Sequence, residues 1–308
     1  MLTSFFGKSA PINYVLVSGY ILVLSLAQYY FLDQAPFSLE GSLWLGVGIL
    51  ALVFSMLMVD FIVRKNTLTQ ANSYAVLIFS SVCMMAPHLY ANSKWIAANV
   101  FILLALRRMF SLKSNQNLEK KLLDSSLWIC LATINYFWAI LLFIPLFLAV
   151  QLNAKAQWRH FLIPPVSILG FLMLYTSFHL VKSGEVDFSL LWRPEISLDF
   201  AAFNLPVFWV LAIFLMLQLL WGLVVRFQLI SRVARKDRPN LILTIYVVFA
   251  SVTMVMLNPD KTGGALLFLS TPLALLVTSV VEQSPKAWLK ESLLWLWVLL
   301  PLLHFLAA

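Results

Sequence analysis

Few side chains in this sequence are of a type that does chemistry, and most sit near the ends of apolar runs. Four cations, Lys94, Lys182, Arg193 and Lys261, are set apart from the rest of the 21 Lys and Arg by the span pattern derived below. A lipid phosphate or pyrophosphate needs such partners, and arginine offers a two-pronged fork. Arg193, in LWRPE (191–195), is the preferred one. The plainer reading of all four is anchorage to lipid headgroups. His88, His160, His179 and His304 fall on different segments with no metal-ligand spacing, so no metal site is expected. His88 and His179 lie near one membrane edge, where they line a common cavity or simply pack. Asp60 stands four residues before Arg64, the spacing of a helical ion pair. Cys83 and Cys130 lie in apolar runs and read as small buried hydrophobes. KTGG (261–264) lacks the spacing of a phosphate loop, which argues against an ATP-driven pump. No cofactor is predicted.

Membrane-spanning helices must position these groups. The chain is 62% hydrophobic and 11% charged, where a soluble domain carries about 25% charged residues. The expected fold is all-α: a polytopic integral membrane protein, one transmembrane domain over residues 1–308. The opening MLTSFFGKSAPINY has one basic residue and leads into a full-length apolar run with no cleavage site, so no cleavable signal peptide is expected. The net charge of +8 marks cytoplasmic loops rather than a nucleic-acid partner.

Spans are expected at 12–32, 42–63, 72–89 and 95–106, then at 161–181, 205–225, 241–257, 265–281 and 287–305. Between them, residues 118–152 decide the topology. A single helix over 122–152 is about 46 Å long at 1.5 Å per residue, against a hydrocarbon core of about 30 Å. A hairpin of two short helices bending near Asn135-Tyr136 is the alternative, and charge separates the two. With one span, 11 of the 21 basic residues fall inside and 10 outside. With a hairpin, 17 fall inside and only Lys94, Lys182, Arg193 and Lys261 fall outside. The positive-inside rule selects the hairpin. The total is eleven crossings, with the N-terminus cytoplasmic and the C-terminus periplasmic in a bacterial inner membrane. Residues 182–204 form the longest outer loop, whose apolar residues point to a segment lying on the membrane face. The basic cluster at 226–238 reads as a topology signal and an anionic-lipid contact. A hairpin tip below the headgroups needs cover from protein or a water-filled cavity. The cavity reading puts Asn135 and Tyr136 at the floor of an outward-facing cavity; the other has Asn135 capping a bent helix and bonding a neighbour.

The basic lead-in, the half-helix ending at a polar residue and the following LLFIPLFLA resemble the middle of C-type glycosyltransferases. Those polytopic enzymes take a sugar from a polyprenyl-phosphate lipid. The whole chain resembles a family of multi-pass membrane proteins of flavobacteria and their relatives, through FFGKSAPINY, RKNTLTQANSY, the LLALRRMFSL to LLDSSLWICLATINYFW block and TPLALL. Members have been labelled carotene oxygenases, a label the scattered histidines do not support. The glycosyltransferase resemblance implies a carboxylate base in the first outer loop, at Asp33 with Glu40 following. A divalent metal is expected only on that reading. The first loop is shorter here than in that superfamily, and Asp33-Gln34 is not its paired acid. Without the resemblance, Asp33 and Glu40 are solvated loop charges.

Two functions follow. One is a transferase acting on a polyprenyl-phosphate-linked sugar at the outer face. The other is a non-catalytic subunit, scaffold or transport component of envelope assembly, with other envelope membrane proteins as partners. Membrane lipids are partners on both. A secondary transporter would need paired broken helices in two repeated halves, and one break is found.

Overall fold

The computed structural model describes all residues except 154, 156, 186, 187, 190, 202, 203, 205, 307 and 308, and the side chains of 91, 206, 207 and 304–306 also lie outside the description. Asp187 and Leu190 of the long outer loop, and the His304 side chain, are therefore outside it. Among the described residues the regular secondary structure is all helical. A short α1 (Leu2–Phe6) precedes α2 (Pro11–Ala27), which runs into a π-turn at Gln28–Leu32. Then follow α3 (Leu39–Asn66), α4 (Tyr74–Met84), α5 (Ser93–Phe110), α6 (Leu118–Asn135), α7 (Phe143–Gln151) and α8 (Trp158–Ser183). The chain ends with α9 (Pro206–Arg232), α10 (Arg238–Leu257), α11 (Ser270–Gln283) and α12 (Ala287–Leu299).

Seven of these segments are long and apolar enough to cross a membrane: those containing α2, α3, α5, α8, α9, α10 and α11. Shorter apolar helices, Tyr74–Met84 and Phe137–Gln151, pack among them. Contacts fix the ends. Ser73 N–H donates to Phe6 O, Leu2 N–H to Glu291 Oε1, and Gln70 N–H to Glu282 Oε1. These gather the N-terminus, the α3–α4 turn and the α11–α12 turn at one end, called proximal here. At the other, distal end, the Gln28 side chain donates to Ala86 O and Trp138 Nε1 to Glu195 O.

The stretch 118–152 is a hairpin. The helix stops at Asn135, Tyr136 is extended (φ −148, ψ 103), and a 3-10 turn over Phe137–Leu142 leads into α7. Asn153, just past α7, donates from Nδ2 to Leu112 O at 2.8 Å, beside the start of α6. The second leg has therefore returned to the proximal end. The tip is covered by protein: Tyr136 is buried, its ring stacks on Phe268 at 4.4 Å, and its hydroxyl donates to Met254 O. At the next proximal turn, Gln157 and His160 form a capping box that starts α8.

The core lies between α4 and α11. Every residue of α4 is buried, and α11 is buried from Ser270 to Val281. Small residues let these helices approach: Ser80 and Ser81 on α4 and Ser279 on α11 bond back to their own helices, hiding their hydroxyls. The peripheral α8 and α9 stay mostly unburied, leaving their apolar outer faces for lipid. The third span is shorter than expected. Its helix covers Tyr74–Met84 rather than 72–89, because the chain turns over at Met85–Tyr90 around Pro87 and a left-handed His88. The loop after α8 lacks helix across its described residues 191–200 and lies over the distal end, with Trp192 against Phe137 at 5.8 Å.

Gly222 is where α9 meets α11. A Cβ there would lie 2.6 Å from Leu276 Cβ, with no room to give. Gly222→Ala is expected to cost about 1–3 kcal/mol by overpacking, read as a lower unfolding midpoint in detergent. An unchanged midpoint would show that this contact is not tight.

Candidate functional site

The distal end holds an apolar groove of about 280 Å³. One wall is α9, which supplies Phe208, Trp209, Leu211 and Leu215; Val255 and Leu266 supply another, and Pro87 and Phe200 close it. Its polar rim is the α10–α11 turn, with Asn258, Asp260 and Lys261. That turn is NPDKTGG, where Gly263 takes φ 92, a left-handed conformation that suits glycine. The next residue, Gly264, packs directly under Trp95 and leaves no space for a side chain. Asn258 Nδ2 donates to Asp260 O and tightens the turn. Lys261 sits over the Phe200 ring at 4.4 Å and donates to Met256 O at 2.7 Å. Partial burial lowers its pKa from the ordinary lysine value. The arrangement suits an amphipathic ligand, with a hydrocarbon chain along α9 and an anionic group at Lys261.

Next to the Pro87 wall lies the pair Asp33–His88. Asp33 follows the π-turn that ends α2, a distortion frequent at functional sites. The turn is pinned by the buried Gln28, whose Nε2 donates to Ala86 O at 2.6 Å. That contact brings the end of α2 against the Ala86–His88 turn. His88 Nδ1 then donates to Asp33 Oδ1 at 2.6 Å. Both strands of the contact are unusual: Gln34 (φ 47) and His88 (φ 51) adopt left-handed backbone. Residues held this way cluster where the surroundings over-determine them, often at functional sites. The second oxygen of Asp33 is buried without a partner. Burial raises the Asp33 pKa above the usual carboxylate value, and the hydrogen bond and charge of His88 pull it part of the way back.

The other sequence-predicted residues have neighbours of their own. Glu40 is exposed in the first turn of α3, behind Ser38, which accepts from Gly41 N–H at 3.1 Å. A carboxylate there complements the positive end of the helix. Lys94 lies in the first turn of α5, Lys182 sits over Phe178 at 5.8 Å, and Arg193 Nε donates to Ser189 O at 2.7 Å. His179 packs beside Tyr175 at 4.4 Å. Asn135 bonds back to Leu131 O at 3.0 Å, and neither it nor Tyr136 lines the groove. Thus Asp33 and His88 are brought together, Lys261 joins the groove, and the remaining residues are dispersed around the same end. Sequence reasoning missed the rim residues Asn258 and Asp260, because NPDKTGG reads as a turn and nothing more. It also passed over Arg226, although that residue lies six positions inside the end of an apolar span, where ionisable groups are costly and usually functional. Among the described residues, no group of three or more His, Cys, Asp and Glu is placed to hold a metal ion.

The chain belongs to the family described as Family of unknown function (DUF6427), which matches residues 1–308. No curated protein and no solved structure matches it.

Burial of Asp33 gives a pH signature. With its folded pKa raised, Asp33 adds stability that is full below the ordinary carboxylate value of about 4 and is lost as pH rises through its raised value. Asp33→Asn removes the buried charge. Its unfolding temperature relative to wild type should therefore rise between about pH 4 and pH 7. A constant difference across that range would show that Asp33 is not desolvated.

Proposed function

We propose that this membrane protein acts at the outer face of a bacterial inner membrane, as a transferase that takes a sugar from a polyprenyl-phosphate lipid held in the distal groove. The observation that carries the reading is the juxtaposition of an apolar groove, a cation at its rim and a desolvated carboxylate bonded to His88, the residue after the groove's Pro87 wall. The orientation is supported by charge: all Lys and Arg except Lys94, Lys182, Arg193 and Lys261 lie on proximal elements, as the positive-inside rule expects of a cytoplasmic end. The prenyl chain lies along α9, and Lys261 faces the phosphate, with Arg193 as a second candidate in the loop over that end.

Asp33 serves as the base. It takes the proton from an acceptor hydroxyl as that oxygen bonds the anomeric carbon. The bond from that carbon to the phosphate oxygen breaks, and polyprenyl phosphate leaves with the electron pair. A raised pKa brings a carboxylate nearer the working pH and makes it a stronger base. His88 fixes its orientation. The donor set around Asp33 does not fit a divalent ion, since His88 occupies one oxygen and no third ligand is near among the described residues. No step is therefore routed through a metal.

The second reading is a non-catalytic subunit or scaffold of envelope assembly. It is favoured by the internal partners of the distal charges: Asp33 with His88, Lys261 with Met256 O, and Arg193 with Ser189 O. Deleting the gene in its host and comparing envelope glycans and lipid-linked intermediates separates the two. The transferase reading expects loss of one glycan, accumulation of its lipid-linked donor, and at least about a hundredfold loss of transfer in Asp33→Asn at normal protein level. Unchanged glycans, or full rescue by Asp33→Asn, would sink the catalytic role.

A further inference from the structure

The proximal end carries a second cavity, far in the fold from Asp33 and the groove. It measures about 290 Å³ and is lined by Arg226 on α9, Asn240 on α10, Glu282 on α11 and Lys113 in the turn after α5. Arg226 is fully buried, which is costly for a cation inside a membrane span. Its Nη2 donates to Leu275 O at 2.9 Å and its Nη1 to Leu68 O at 3.4 Å. Its Nε has no partner. Asn240 is 5% exposed, and its Nδ2 is likewise buried without an acceptor. Two orphaned donors lining one cavity cost free energy unless something accepts from them.

The nearest carboxylates do not fill that role. Glu282 Oε1 is taken by Gln70 N–H at 2.8 Å and Asn72 Nδ2 at 2.6 Å, and Asp237 is paired with Lys113. The cavity also adjoins another of about 400 Å³, which shares Lys113 and Asn240 and adds Arg235 and Lys236. The two together present four cations and two carboxylates around the orphaned donors. The net charge of the two cavities together is positive, with Glu282 lining the first beside Arg226 and Asn240.

We infer that this proximal cavity binds a phosphate group, with Arg226 Nε and Asn240 Nδ2 donating to its oxygens and Lys113 closing over it. A planar guanidinium and an amide donor suit an oxyanion. Such a group arrives either as free phosphate or as the headgroup of an anionic phospholipid, since Arg226 lies near the end of its span. The inference is independent of the transferase reading, because it concerns the opposite end of the bundle.

Two probes distinguish the sources. One is equilibrium dialysis of inorganic phosphate against the full chain in phosphatidylcholine nanodiscs. The other is native mass spectrometry of the detergent-purified chain titrated with phosphatidylglycerol or phosphatidylcholine. Arg226 also clamps α9 to α11, so the test uses Asn240→Leu and Lys113→Gln, each checked for unchanged unfolding temperature. Saturable binding of phosphate, or retention of phosphatidylglycerol over phosphatidylcholine, is expected. Each variant should weaken it by about tenfold or more, while Lys120→Gln, at an exposed lysine of the same end that lines neither cavity, leaves it unchanged. Phosphate binding assigns a soluble ligand, and phosphatidylglycerol retention alone assigns a headgroup. Binding of neither probe, or binding that both variants leave intact, overturns the site and makes Arg226 a clamp only.

Discussion

Within a bilayer, every backbone polar group must find a partner in the protein. That constraint governs the break at Tyr136 and, through it, everything after it. Tyr136 N–H still reaches Ala132 O at 2.8 Å, and Ala139 N–H reaches Tyr136 O at 3.0 Å, so these bonds carry the backbone through the turn. The aromatic ring stacks on Phe268 and the hydroxyl seals Met254 O. The α10–α11 connection therefore covers the tip. In return, the tip supports the connection whose next residues, Asn258 to Lys261, form the rim of the distal groove. A straight helix in place of this hairpin would invert α8 to α12 and carry the groove to the other side.

The two ends of the bundle solve different electrostatic problems. At the distal end cations are few, and a single lysine stands at the edge of a deep apolar surface beside a desolvated carboxylate. At the proximal end cations are many, yet one of them is buried beyond reach of solvent. Solvated positive charge at a membrane edge needs no special account, because lipid headgroups satisfy it. A fully buried guanidinium with a free Nε does need one. The seven long apolar helices explain where the protein resides; these exceptions to their apolar character are what the proposed sites are built on.

Much of the architecture was legible in the sequence, for physical reasons that can be named. Apolar run length locates the spans, and the asymmetry of Lys and Arg selects the hairpin over a long tilted helix. The Asp60–Arg64 spacing forms its ion pair at 2.8 Å. The shortened α4 was not legible, since Met85-Ala86-Pro87 is apolar whether it extends the helix or turns it. Nor was the approach of His88 to Asp33, which depends on Gln28, a buried amide reaching across to another turn. Arg226 was hidden by its company: in the sequence it is one of a basic cluster, and only packing separates it from Arg232, Arg235 and Lys236, which are exposed. The family adds no activity that would assign these sites, so their chemistry rests on geometry.

The most direct test of this account is the side of the membrane reached by each end of α8. Single cysteines at Lys155 and Lys182, in a chain whose buried Cys83 and Cys130 are replaced, would be exposed to an impermeant thiol reagent in intact cells. The hairpin orientation predicts labelling at 182 and protection at 155 until the membrane is permeabilised. Labelling at 155 with protection at 182 would contradict it, and would put the α10–α11 turn with Lys261 on the cytoplasmic face, opposite Asp33.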